Sequence, residues 1–136
     1  MSYAISGALQ TAVYDALGAD AALHLQVGPA VYDAVPTGAV PDLYVRLGSE
    51  TVREASDFTG SGAVHFLTVS VITTQPGFAG AKAAAAAVSD ALHDADLALS
   101  RGHLVSLRFE RATARRIEGA SARQIDLRFR ARVQDD

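Results

Sequence analysis

Ile5, Leu9, Val13 and Leu17 recur every four residues with Ala8, Ala12 and Ala16 beside them, so one apolar stripe runs along an opening helix. Gly18 marks its end, because glycine closes a helix at little steric cost. A second short helical turn is expected over residues 20–25, with the Asp20 side chain placed to accept from the unpaired amides of its first turn. The Gly28-Pro29 pair then breaks the chain. From residue 30 the period shortens, and residues 30–34 and 43–47 read as short strands separated by Pro36, Gly38 and Pro41.

Residues 48–62 are polar and end in Thr59-Gly60-Ser61-Gly62, which reads as a frayed strand extension followed by a long exposed loop. Residues 63–74 form the strongest strand: Leu67, Val69 and Val71 face one way, Phe66, Thr68, Ser70 and Ile72 the other. Neither side is strongly charged, which places it in the middle of a sheet. Gln75-Pro76-Gly77 turns the chain into a helix over residues 79–93, whose inward stripe is Ala84, Val88, Ala91 and Leu92. Near the end, Val105, Leu107 and Phe109 alternate with Ser106, Arg108 and Glu110. Ile125, Leu127, Phe129, Ala131 and Val133 likewise alternate with Asp126, Arg128, Arg130 and Arg132. With a polar turn around Glu118-Gly119-Ala120-Ser121, the two strands pair as an antiparallel hairpin. The expected fold is α+β: a mostly antiparallel sheet of about four to five strands, with two main helices packed on one face.

Composition narrows the function classes. At 136 residues and 49% hydrophobic, the chain fits one domain with one core. It contains no Cys, so disulfide scaffolds, thiol nucleophiles and sulfur-ligated metals are excluded together. No apolar run approaches the ~20 residues that span a bilayer, and the N-terminus lacks the pattern of a secretory signal, so the expectation is a soluble, intracellularly made protein without a membrane partner. The net charge of -3 hides a division. Residues 1–100 carry Arg46, Arg53 and Lys82 against ten acids, whereas residues 101–136 carry nine Arg against five acids. Such asymmetry serves an anionic partner, or two opposite surfaces that attract each other between copies.

No catalytic constellation emerges. His24, His65, His93 and His103 sit on separate elements, and His93 with Asp90 and Asp94 is the nearest approach to a metal cluster; a surface helix end is the plainer account of it. The stretch from Gly77 to Lys82 has two residues between its glycines and Ala83 after the lysine, which departs from a phosphate-binding loop. G-x-S-x-G is absent, Ser49, Ser56 and Ser61 are ordinary turn residues, and the paired carboxylates Glu54 and Asp57 lie in the expected loop. The reading is therefore no enzyme, no metal and no cofactor. Arg128, Arg130 and Arg132 share one strand face at period two, and Arg108 on the partner strand extends the row. That row suits phosphates or a facing acidic surface.

The segments Leu9-Gln10-Thr11-Ala12-Val13-Tyr14-Asp15-Ala16-Leu17, Val31-Tyr32-Asp33-Ala34-Val35-Pro36 and Pro41-Asp42-Leu43-Tyr44-Val45-Arg46-Leu47-Gly48 resemble the small tail-completion (tail terminator, head-to-tail joining) proteins of long-tailed phages. Residues 91–99, residues 103–109 and the closing strand extend the likeness to nearly the whole chain, and it is also similar to the versions carried by gene transfer agents. The resemblance implies a non-enzymatic structural protein, one tail-terminator-like domain over residues 1–136 with an exposed loop around 48–62. Its copies would form a ring, typically a hexamer, that ends the tail tube and joins it to the head-side connector while DNA passes through the channel without sequence recognition. Its partners would be itself, the tail tube protein and the connector or stopper; it would assemble in the host cytoplasm and reside in the tail or neck of the particle. In that setting acidic surface of one copy, with Glu54 and Asp57, would meet basic surface of the next, with Arg108, Arg128, Arg130 and Arg132. A placement of the arginines toward the channel competes with this, as do another neck or minor tail ring component and a basic-patch nucleic-acid-binding module.

Overall fold

The computed structural model describes residues 2–56, 60–119 and 121–136. A 3-10 turn, Ser2–Ile5, leads into helix α1, Ser6–Ala19, whose Leu9, Val13 and Leu17 are buried on the expected stripe. Full burial of each such side chain stabilises the fold by roughly 1.5–3 kcal/mol. Helix α2, Ala21–Val27, follows at once, and the Asp20 carboxylate caps it by accepting from the Leu23 amide at 2.9 Å. Strand β1 is Val31–Tyr32, β2 is Leu43–Glu54, β3 is Ser61–Thr73, helix α3 is Ala79–Leu92, β4 is His103–Ile117 and β5 is Ala122–Asp135.

The five strands form one sheet in the order β1-β2-β3-β5-β4, with β1 parallel to β2 and every other pair antiparallel. β3 therefore lies in the middle, as its uncharged faces predict. One face carries Leu43, Val45, Leu67, Val69, Val71, Leu127, Phe129 and Val133, and these join α1, α2 and α3 in one hydrophobic core. Ala81, Ala84, Ala85 and Val88 line the buried side of α3; their small volume lets the helix lie close to the sheet.

Three local expectations change. β2 continues through Glu54 and β3 begins at Ser61, so much of the stretch read as a loop over 48–62 is strand. The register shifts between Leu47 and Glu50, and this bulge breaks the alternation that a strand displays in sequence. The strand expected over residues 30–34 contracts to Val31–Tyr32. Val105 does not share the inward face, because a second irregularity between Leu104 and Ser106 displaces it and leaves it 53% exposed.

Candidate functional site

The face of the sheet opposite the helices is lined by arginine. Register fixes its membership: Val45, Leu67, Phe129 and Leu107 point into the core, so their strand neighbours point away from it. β2 contributes Arg46 and Arg53, β5 contributes Arg128, Arg130 and Arg132, and β4 contributes Arg108, Arg111 and Arg115. The expected row of Arg128, Arg130 and Arg132 is thus brought together with Arg108, which stands directly opposite Arg130. Arg111 likewise faces Arg128 across the β4–β5 ladder. Like charges directly opposed across two strands are mutually destabilising, so each pair calls for a counter-charge.

Some of these charges are met within the chain. Arg128 forms an ion pair with Glu110 at 2.8 Å and stacks over the Phe66 ring at 4.4 Å, with Arg53 over the same ring at 5.5 Å. Arg132 donates from a terminal guanidinium nitrogen to the Ala55 carbonyl at 2.8 Å. Arg115 lies 3.6 Å from Asp126, and Asp126 also accepts from Ser70 Oγ at 2.6 Å and Gln124 Nε2 at 2.7 Å. Partial burial of Asp126 pushes its pKa upward, but those two hydrogen bonds and the charges of Arg115 and Arg46 outweigh that, and the carboxyl titrates below its usual range. Arg108 and Arg130 have no such internal partner among the described residues. Between β2 and β4 the face dips into a shallow hollow of about 350 Å³ edged by Thr51, Phe66, Thr68, Arg111, Asp126 and Arg128.

The remaining candidates separate. Glu54 lies at the end of β2 and accepts from the amide and hydroxyl of Ser56, within its own turn. Asp57 lies outside the described residues. His93 Nδ1 accepts from the Phe109 amide at 2.9 Å and its Nε2 is 3.4 Å from Asp94, so it fastens the end of α3 to β4. Among the described residues no group of three or more His, Asp or Glu side chains is placed to hold a metal ion. Glu50 joins Ser6 Oγ at 2.7 Å to Nδ1 of the fully buried His65 at 3.0 Å. There the carboxylate lies between hydroxyl and imidazole, so the two are linked through Glu50 and His65 does not itself contact the hydroxyl as in a serine–histidine pair.

Sequence reading missed the contributions of Arg46, Arg53, Arg111 and Arg115 and the role of Phe66. The alternation of residues 63–74 puts Phe66 on the face opposite Leu67, Val69 and Val71 without saying which face is the core; the β3–β5 pairing sets it beside the arginines.

Residues 11–134 match the family described as "Tail completion protein gp17". The chain belongs to the tail completion protein family. Tail completion is the resemblance that the sequence segments carry, and it makes this chain a structural component of a virion-type tail. A solved chain from the "Virion of native gene transfer agent (GTA) particle" is 65% identical, with a TM-score of 0.93 over 98% of this chain and 99% of that one. None of the curated proteins matches. Both the family and that virion chain are structural, and among the described residues of this tail completion protein no helix is long and apolar enough to cross a membrane.

Proposed function

We propose that copies of this tail completion protein close into a ring, a hexamer, that ends the tail tube of a gene transfer agent particle and joins it to the head-side connector, with DNA passing through the central channel. The observation that carries this reading is the nearly full-length likeness to a virion chain at 65% identity. The partners are further copies, the tail tube protein and the connector, and the function is exerted by shape, with no bond made or broken.

In this ring the arginine face meets acidic surface of the neighbouring copy. Arg108 and Arg130 are its centre, since they oppose each other without a counter-charge among the described residues; Arg128 and Arg132 flank them, and Glu54 and Asp57 belong to the acidic side. The net charge of -3 favours a short-range protein contact over attraction of a long polyanion from solution. Particles produced without this protein test the reading by electron microscopy. Overlong tails, or tails separate from heads, support it; normally joined particles refute it.

A further inference from the structure

The two edges of the sheet carry opposite charge and opposite states of completion. At one edge lie β1, only two residues long, and the irregular connection over residues 33–42. The first 45 residues contain Asp15, Asp20, Asp33 and Asp42 and no Lys or Arg. At the other edge lies β4, fifteen residues long, with Arg108, Arg111, Arg115 and Arg116 against Glu110.

β4 is shielded over half its length. The Leu107 carbonyl accepts from the Asp94 amide at 2.7 Å and the Phe109 amide donates to His93, so the segment after α3 occupies this part of the outer edge. Beyond Phe109 the bulge shifts the phase by one, and Ala112 and Ala114, opposite Leu127 and Ile125, become the residues whose N–H and C=O turn outward. Those outward groups have no hydrogen-bond partner among the described residues, and residues 111–116 are exposed. An open edge of this kind is a template for another strand, and natural proteins cover or blunt such edges. The arginines blunt it against random pairing and leave it complementary to an acidic segment.

We infer that the outer edge of β4 over residues 111–116 is completed by a second copy of this chain, whose acidic connection 33–42 docks against it head to tail. Opposite edges with opposite charge generate a heterologous contact, the kind that repeats around an axis. This rests on the ring reading above and specifies how its subunits join.

Hydrogen exchange on the peptides 111–117 and 33–42, in the isolated protein and in the intact particle, tests it. The expected result is exchange about tenfold slower or more in the particle for both peptides, as newly bonded amides require. Unchanged exchange in 111–117 overturns the inference, and so does protection that isolated rings lack and that appears only once tail tube or connector protein is bound. Ala114→Pro provides the second measurement. Its N–H points outward and contributes nothing to the β5 ladder, so the variant should keep its circular dichroism and melting midpoint yet lose ring formation. Thr113→Pro removes an inward amide and should unfold instead. A folded Ala114→Pro protein that still forms rings overturns the edge contact and leaves the ring itself standing; normally joined particles without the protein remove the ring reading.

Discussion

Gly102 holds a φ of +67°, and a β-carbon there would collide with the Gln134 backbone and meet Ile5 Cδ1 at 2.8 Å. The turn before β4 thus depends on a residue without a side chain, both for its conformation and for the approach of β5 and the N-terminal turn. Gly102→Ala should cost roughly 1–3 kcal/mol. Urea unfolding of the purified variant measures this, and a midpoint equal to wild type would contradict it. Asp126 offers a pH signature. Its pKa is depressed in the folded chain, so its contribution is fully present above the unfolded carboxyl value of about 3.9 and disappears as pH falls through the lower folded value. Asp126→Asn should therefore lose about 1 kcal/mol at pH 7, and the gap to wild type should shrink in strong acid. Unfolding free energies at pH 7 and pH 3 decide it; a gap independent of pH would show that the charge contributes nothing.

At the scale of elements, the bulge in β2 both hides the strand and makes a contact. By shifting the phase after Leu47 it turns Glu50 toward the helical layer, where the carboxylate ties the start of α1 to His65 in the middle strand. Glu50→Ala leaves His65 Nδ1 buried without its partner, beside an Nε2 that has none among the described residues, and should cost about 1–3 kcal/mol. The check is a thermal melt of the variant beside Ser6→Ala, which loses only the outer hydrogen bond and should be milder; equal effects would argue against the buried imidazole as the cause. The same bulge explains what sequence could and could not yield. α1, α3 and β5 were legible because one periodicity runs unbroken through each, as in Leu9-Val13-Leu17 and Ile125-Leu127-Phe129. β2 beyond Gly48, the inward Glu50 and the displaced Val105 were not, since each follows a register shift that only pairing with a neighbour reveals. The arginine row of β5 was visible at period two. Its partners on β2 and β4 needed the strand order, which no local pattern contains.

On the scale of the whole molecule, charge is segregated by the sheet: arginines on the open face and at the β4 edge, acids without a single Lys or Arg through the first 45 residues. Segregation of this kind costs stability in an isolated subunit through self-repulsion, and the cost is recovered when opposite surfaces of two copies meet. Arg108 and Arg130 are the informative pair, because reversing them disturbs no ion pair among the described residues, whereas Arg128 and Arg132 also hold Glu110 and the Ala55 carbonyl. Arg108→Glu with Arg130→Glu should leave the melting temperature of the isolated protein near wild type while abolishing ring assembly and producing tails that do not attach to heads. Raising salt from 0.1 M to 1 M, which shortens the screening length from about 10 Å to about 3 Å, should weaken wild-type association in the same direction. The two arms separate electrostatic steering from shape. If the reversed variant assembles and wild-type rings ignore salt, the arginine face is a solvated surface and the subunits are held by apolar and backbone contacts alone. If both arms respond, the opposed arginines have found their missing carboxylates on the next copy.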